Sequence, residues 1–245
     1  MKRILPLFVL ILLNSCDPPP RKHVLETREK QAASFTDPEE IEEMDVLTDT
    51  VAEYWFTEVD RVNGRIYTAY SGNDRVFVLN ARKDTVFKLN EPGGAKFLDF
   101  NRDGYKDLYI GYMTNVPDIN DLALFDTLSG KFRLVEDLSD FPASQKIKGT
   151  DYYYSYHRSG CADLDWGSDL FYIKDYKTVR IGTIEGLGCE NEPKQGIFVR
   201  KVTGRKEKLI RSFYLSTLEK YKDYKWGFID DYWKHNYTLF VPDSI

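Results

Sequence analysis

The sequence has little of what catalysis usually requires. It contains three histidines in 245 residues, and these lie far apart along the chain, at positions 23, 157 and 235. It has no H-E-x-x-H zinc motif, no G-x-S-x-G nucleophile motif and no glycine-rich phosphate loop. Its many carboxylates single out no pair for glycoside hydrolysis. Metal-hydrolase and serine-hydrolase activities therefore have no support, and we predict a protein that is not an enzyme and has no catalytic residues.

Cysteine is also scarce, with three in the whole chain. No C-x-x-C pair is present, which excludes redox chemistry by that motif. If residues 169–174 and 178–183 form a hairpin, its register places residue 161 opposite about residue 191. Cys161 and Cys189 then lie within bridging reach, and an oxidising compartment favours a disulfide that acts as a structural staple. Two free thiols are the alternative.

No hydrophobic run is long enough to cross a bilayer as a helix, which needs ~20 residues. The run at residues 4–13 follows Lys2 and Arg3 and precedes Ser15 and Cys16, which is the layout of a secretory signal. A small residue directly before a cysteine resembles the lipobox of bacterial lipoproteins. That resemblance implies cleavage before Cys16 and acylation of this cysteine, palmitate included. The lipid anchor would hold the protein at the outer membrane, the periplasmic face or the cell surface. An ordinary signal peptide with an incidental cysteine is the alternative.

The composition divides the chain into three parts. Residues 1–16 are the predicted lipoprotein signal peptide. Residues 17–50 combine a proline run with acidic and small residues, which bury too little apolar surface to fold, and this predicts a flexible tether. Residues 51–245 are predicted as one β-rich domain with a C-terminal extension from about residue 197. The net charge of -5 and the predicted export argue against nucleic acid as a partner.

Short runs of Tyr, Phe, Val and Ile between turn residues predict an all-β fold, mainly an antiparallel meander of sandwich-like or barrel-like form. A capping box at residues 216–219 predicts one short C-terminal helix that runs to about Tyr224. Four dipeptides typical of hairpin turns lie between the runs: Asn63-Gly64, Gly72-Asn73, Ser129-Gly130 and Thr203-Gly204. The predicted strands are 54–60, 65–70, 75–79, 85–89, 96–99, 107–112, 121–125, 131–134, 151–157, 169–174, 178–183, 197–202, 208–215 and 237–241.

Residues 99–107 read Asp-Phe-Asn-Arg-Asp-Gly-Tyr-Lys-Asp and carry the clearest chemical signal in the chain. Oxygen-bearing side chains occupy positions one, three, five and nine of this loop, and Gly104 at position six allows a sharp turn. Because oxygen donors suit a hard cation, the spacing predicts a Ca²⁺ site. A turn that binds no ion is the alternative. The predicted ligands are the side chains of Asp99, Asn101, Asp103 and Asp107 and the carbonyl of Tyr105.

Two features separate this loop from an EF-hand. Position twelve is Ile110 and not the bidentate glutamate of an EF-hand loop, and the flanking residues 96–98 and 108–112 favour strands. A strand–loop–strand with this spacing resembles the FG-GAP or VCBS calcium repeat of integrin-like propellers. A propeller needs such a repeat in every blade. The motif occurs once in this sequence, so we predict that the fold is not a full propeller.

A broader resemblance covers about residues 65–185. It is carried by the acidic loop, by an Asp-x-x-Ser-Gly-Lys-Phe segment at 126–132, by Glu-Asp-Leu-Ser at 136–139 and by tyrosine-rich hairpins. These features are similar to those of bacterial envelope β-proteins of the periplasmic invertebrate-type lysozyme inhibitor kind. The resemblance implies that calcium fixes one loop while another, containing Ser-Gly, plugs a hydrolase cleft. The matching positions here are Ser71-Gly72 and Ser159-Gly160.

The sequence thus predicts a calcium-stabilised, membrane-anchored binding lipoprotein of the bacterial envelope. Its partner would be a peptidoglycan hydrolase, which it would inhibit as an immunity protein, or another envelope protein. The alternative is a surface structural or adhesion module that binds glycan or protein through the tyrosines of residues 152–156. A half-buried strand rich in tyrosine explains the same segment without any ligand.

Overall fold

A computed structural model describes residues 56–190 and 193–242 of the protein. The predicted signal peptide, Cys16 and the tether at residues 17–50 lie outside these ranges. Within them, 15 strands form three antiparallel sheets, accompanied by one α-helix and four short 3₁₀ segments. In this part of the chain no sheet closes into a barrel and the sheets do not form a propeller. The predicted mainly antiparallel all-β fold with a short C-terminal helix is therefore confirmed.

The first sheet is a four-stranded meander in the order β1-β2-β3-β4. Asn63 and Gly64 join its first two strands, and both have positive φ, 46° and 74°. This is the backbone conformation that a tight type I′ hairpin turn requires, and asparagine and glycine are the residues that adopt it most readily. The strands are β1 (Phe56–Val62), β2 (Arg65–Ser71), β3 (Val76–Asn80) and β4 (Thr85–Leu89).

The second sheet is a separate four-stranded meander, β5-β6-β7-β8. One hydrophobic core joins it to the first sheet, with Tyr67 and Val78 from the first sheet and Leu108 and Ile110 from the second at its centre. Burial of these four side chains fixes the faces on which the two sheets meet. The strands are β5 (Gly94–Leu98), β6 (Asp107–Gly111), β7 (Asn120–Asp126) and β8 (Lys131–Leu134).

The third sheet has seven strands, in the order β15-β14-β13-β12-β10-β9, with β11 also paired to β12. In its central hairpin Asp169 pairs with Thr183 and Trp166 with Gly186, which is the register from which the disulfide is predicted. Nearer the turn Lys174 pairs with Lys177, one residue off that register, and a bulge between Leu170 and Phe171 makes up the difference. The strands are β9 (Gln145–Lys146), β10 (Tyr152–Tyr154), β11 (His157–Gly160), β12 (Asp165–Lys174), β13 (Lys177–Leu187), β14 (Gly196–Thr203) and β15 (Lys206–Phe213).

The prediction of a single strand over 151–157 is wrong, because the structure has two strands there. β10 lies against the middle of β12 and β11 against its beginning. The chain changes partner between them: the N–H of Ser155 donates to the carbonyl of Asp169 at 2.9 Å, but the N–H of Tyr156 donates to the carbonyl of Pro142 at 2.9 Å. The backbone therefore leaves the ladder for one residue and then returns to it.

The C-terminal helix, α1 (Tyr224–Asn236), begins where the predicted helix ends. Residues 215–220 form a 3₁₀ segment, and Tyr237–Leu239 is 3₁₀ and not the predicted strand. The aromatic side chains of α1 favour strands in isolation, but Phe228 and Trp233 are buried in a core against the third sheet. Tertiary packing therefore overrides local preference. No helix within the described ranges has both the length and the apolar character needed to span a membrane.

A smaller core joins the second sheet to the third. It contains Leu122 of β7, Tyr153 of β10, Phe171 of β12 and Phe141 from the connecting segment. The rings of Phe141 and Phe171 have centroids 4.2 Å apart. The acidic loop at residues 99–106 lies at this junction, since the ring of Phe100 stacks on that of Tyr153 with centroids 5.2 Å apart.

Candidate functional site

The acidic loop connects β5 to β6, as the strand–loop–strand interpretation predicts. It turns sharply because Arg102 and Gly104 have positive φ, 59° and 92°. Glycine adopts this conformation without steric cost, while the arginine accepts a less favourable one. The β5–β6 ladder ends in the pair Leu98 and Asp107, so both ends of the loop are fixed by sheet hydrogen bonds.

Three of the predicted ligand side chains come together on the exposed side of this loop. The carboxylate of Asp99 accepts backbone N–H bonds from Asp103 at 3.0 Å and Gly104 at 3.1 Å. The side-chain oxygen of Asn101 accepts a bond from the same Asp103 N–H at 3.0 Å. Asp103 in turn accepts a bond from the N–H of Tyr105 at 2.8 Å. These bonds point the oxygens of positions one, three and five into the same turn.

Asp107, at position nine, is placed differently, because its side chain is fully buried. One carboxylate oxygen accepts the N–H of Phe125 at 3.0 Å and the other accepts the N–H of Phe100 at 3.1 Å. Burial in a poorly solvated site raises the pKa of Asp107 to about 6, although these N–H bonds act in the opposite direction. Asp107 therefore ties the loop to β7 and is a buried carboxylate that a nearby cation would stabilise.

The donor set fits a hard cation. It consists of side-chain oxygens from three aspartates and one asparagine, with no nitrogen or sulfur ligand, which suits Ca²⁺ better than Zn²⁺. The residues that could hold the ion are those predicted from the sequence, Asp99, Asn101, Asp103 and Asp107, with the Tyr105 carbonyl completing the set.

The sequence did not indicate the residues that brace the loop from outside. The ammonium of Lys146, on β9, donates a hydrogen bond to the carbonyl of Asn101. The ammonium of Lys106 forms an ion pair with Asp60 of β1. Both contacts join residues more than forty positions apart, and no local pattern encodes such pairs. Through them the loop contacts the first and third sheets in addition to its own.

A disulfide joins Cys161 to Cys189, with Cα atoms 5.8 Å apart, which confirms the predicted pairing. The carboxylate of Asp165 accepts the backbone N–H groups of Gly188 and Cys189 at 2.8 and 2.9 Å. Cys161, Asp165 and Cys189 thus form a compact group. Because the two sulfurs are bonded to each other, they offer no thiolate to a metal, and the group is a structural clamp.

The two Ser-Gly pairs occupy opposite kinds of environment. Ser71 is fully buried at the end of β2, and its hydroxyl oxygen accepts the N–H of Ala95 at 2.9 Å. Gly72 is buried as well. Entry of this pair into a partner's cleft would require the strand end to unfold, so Ser71-Gly72 offers no surface to a partner.

Ser159 is exposed. It is the extra residue of a β-bulge, since Arg158 pairs with Trp166 and Gly160 with Asp165 across β12. A bulged residue has no partner in the ladder and changes the direction of its strand. Gly160 directly precedes the disulfide residue Cys161, which holds this end of the segment in place. The structure therefore presents Ser159-Gly160 on a clamped surface segment.

A surface groove of about 660 Å³ lies beside this segment. The carboxylate of Asp163 accepts a hydrogen bond from the hydroxyl of Tyr156 and one from the ammonium of Lys225 at 2.5 Å. Lys225 is buried and belongs to α1, so these bonds attach the helix to the segment that follows Cys161. Trp226, the next residue of the helix, contacts the ring of Tyr156 and forms a wall of the groove.

The tyrosine segment does not form an exposed aromatic strip. Tyr153 and Tyr154 are buried, with 3% and 5% of their surface exposed. Tyr152 is half-buried and packs against Tyr172 and Tyr237. The explanation as a half-buried strand is therefore confirmed, and the alternative of a binding strip retains only the partly exposed Tyr152 and Tyr156.

Fold and site together define an antiparallel β protein of three open sheets that carries an acidic strand–loop–strand. No protein-family model matches the chain, and no curated protein matches it. One solved structure that is similar is described as a Xanthomonas type IV secretion system related protein. It is 13% identical, and the alignment covers 63% of this chain and 93% of that one with a TM-score of 0.43. We draw no conclusion about this chain from a similarity of that size.

Proposed function

We propose that this protein is a calcium-stabilised binding protein that inhibits a peptidoglycan hydrolase, held by lipid in the bacterial envelope. The observation that carries the proposal is the exposed, disulfide-clamped segment at Ser159-Gly160. A segment that is exposed and already held in shape loses little conformational entropy when a partner binds it, and this favours tight binding. The lipid anchor at Cys16 belongs to the proposal on the sequence evidence alone.

Calcium has a structural part in this proposal. The loop holds Asp99 and Asp103 on its exposed side and Asp107 buried in the core, and the charge of Asp103 contributes to the raised pKa of Asp107. A bound Ca²⁺ would cancel their repulsion and stiffen the connection between β5 and β6. The loop is also braced by Lys146 of the third sheet, so calcium would stabilise the framework that carries the Ser159 segment. The ion would take part in no reaction.

The partner surface is the Ser159 segment together with the groove beside it. Tyr153 and Tyr154 are used in packing and Tyr156 borders the groove, so the segment offers no continuous aromatic strip for the adhesion alternative. The groove wall at Trp226 and the guanidinium of Arg158, which is exposed, supply the aromatic and charged groups that interface centres favour.

The test is to incubate the purified protein, in calcium, with a panel of peptidoglycan hydrolases and to follow lytic activity and complex formation together. We expect one member to be inhibited in a stoichiometric complex. Ser159→Arg should weaken that complex at least about tenfold, because a long charged side chain cannot enter a cleft shaped for serine. Ser212→Arg, on an exposed position of β15 in the same sheet, is the matched control and should leave binding unchanged. Equal effects of the two substitutions, or no inhibition of any member, would contradict the proposal.

A further inference from the structure

Four basic residues gather at one end of the first sheet. Arg61 and Arg65 flank the turn between β1 and β2, while Arg82 and Lys83 lie in the turn between β3 and β4. Because the strands are antiparallel, both turns fall at the same end of the sheet. The three arginines line a single surface depression of about 630 Å³.

This arginine depression contains no acidic side chain. Its other lining residues are Gly64, Ile66, Asn80 and Ala81. Within the described ranges none of the three arginines forms an ion pair with a carboxylate. The carboxylate of Asp84, in the same turn, accepts a hydrogen bond from the Asn80 amide at 2.9 Å. Among the residues that the structure describes, no carboxylate pairs the positive charge of this depression.

The turns that carry the arginines are held in shape by their own hydrogen bonds. The side-chain oxygen of Asn80 accepts the backbone N–H of Arg82 at 2.8 Å and that of Asp84 at 3.0 Å. Arg61 donates from its guanidinium to the carbonyl of Gly64 at 2.8 Å. A ligand that binds here would not have to order the backbone, which lowers the entropic cost of binding.

We propose that the arginine depression binds a phosphoryl group, carried by a lipid headgroup or by a soluble phosphate ester. A guanidinium presents parallel N–H donors that match two phosphate oxygens, and a phosphoryl group has enough oxygens and charge to engage several such forks. A carboxylate, with two oxygens and a single charge, serves them less well. Ile66, which is 44% exposed, lies in the same depression and suits the apolar part of a phosphate ester. The site is independent of the calcium loop and of the Ser159 segment.

The experiment measures binding of the full-length chain to two kinds of probe. Calorimetric titration with inorganic phosphate and with glycerol phosphate tests the soluble source. Co-sedimentation with vesicles of phosphatidylcholine, with and without phosphatidylglycerol, tests the headgroup source. Arg65→Gln and Arg82→Gln each remove one guanidinium. Arg75→Gln is the matched control, because Arg75 belongs to the same sheet at its opposite end and is ion-paired with Asp74.

We expect saturable binding to one kind of probe, weakened about tenfold by each of Arg65→Gln and Arg82→Gln, since a hydrogen bond to a charged group accounts for a change of that size. Arg75→Gln should leave it unchanged. Binding to soluble phosphates identifies that source, and binding only to vesicles with phosphatidylglycerol identifies the headgroup. The proposal is overturned if neither kind of probe binds, or if Arg75→Gln weakens binding as much as the other two substitutions do. Arg65 and Arg82 are exposed and Arg75 is half-buried, and unchanged thermal unfolding would show that all three variants remain folded.

Discussion

Replacing Asp107 by asparagine separates a calcium site from a purely structural turn. Asp107 is fully buried, and burial raises its pKa to about 6 from the ordinary 3.8. At neutral pH without calcium the folded protein must therefore hold a carboxylate charge in an unfavourable place. Asparagine has nearly the same shape and removes that charge. The effect of the substitution should consequently depend on whether an ion compensates the charge in the native protein.

The expected size follows from the pKa and the hydrogen bonds. The rise in the pKa of Asp107 from 3.8 to about 6 lowers the free energy of unfolding at neutral pH by about 3 kcal/mol, at about 1.4 kcal/mol per pKa unit. Asparagine carries no charge and so regains this stability. It leaves the N–H of Phe100 or of Phe125 without an acceptor, which costs about 1–2 kcal/mol. In chelator we therefore expect Asp107→Asn to be about 1–2 kcal/mol more stable than the wild type. Calcium at about 100 times its Kd should raise the free energy of unfolding of the wild type by about 2.7 kcal/mol and that of the variant by much less.

The assay is denaturant unfolding of both proteins in calcium and in chelator at neutral pH. Asp126→Asn is the control, because Asp126 holds the β7–β8 turn through Leu128 and Ser129 and should respond equally in both solutions. A variant less stable than the wild type in chelator, with an undiminished calcium increment, would refute the reasoning. Asp107 would then act only as a hydrogen-bond acceptor for the loop.

Further predictions concern the loop, the helix attachment and the disulfide. Asp103→Ala should lower the melting temperature in calcium and change it little in chelator, because Asp103 is exposed; equal loss in both would show that it serves the turn alone. The pKa of Asp163 is subject to a rise from burial, but hydrogen bonds from Lys225 and Tyr156 outweigh it and lower the pKa. Its contribution to stability is therefore present above the ordinary pKa of 3.8 and is lost as pH falls through the lower folded value. Asp163→Asn should make the acid side of the stability–pH curve shallower, and an unchanged curve would contradict this. Replacing both Cys161 and Cys189 by alanine should cost about 2–4 kcal/mol in denaturant unfolding under oxidising conditions, whereas the wild type in reductant should behave like the variant.

Much of the strand pattern could be predicted because it is encoded locally. Thr85–Leu89 and Lys131–Leu134 have the predicted bounds, since each is a short run of strand-forming residues between turns. The predicted turn between the β12 and β13 runs was one residue too long, but a bulge between Leu170 and Phe171 restores the predicted register from Leu170 towards the start of β12, and with it the disulfide partner of Cys161. The acidic loop was predicted as a connection between strands from the residues at its flanks.

The rest depended on contacts that no local pattern records. The aromatic residues of α1 pack on a sheet whose strands extend from residue 145 to residue 213, and this packing stabilises a helix there. Lys146 reaches the acidic loop from a two-residue strand too short to give a periodic signal. Burial of Ser71 likewise follows from the docking of β5 against β2, where its hydroxyl meets the N–H of Ala95. Residue type alone does not distinguish this serine from exposed Ser159.

The order of strands in the three sheets has a consequence for how the chain assembles. Across residues 56–190 and 193–242, every pair of strands joins neighbours in sequence except β10 with β12. Each sheet can therefore form from hairpins made in the order in which the chain is synthesised, without waiting for a distant segment. Loops that close over short distances cost little entropy, and topologies rich in such contacts fold quickly. The slow steps should be the docking of complete sheets against one another and the oxidation of the two cysteines, so early intermediates would have native strand pairing before they have a native core.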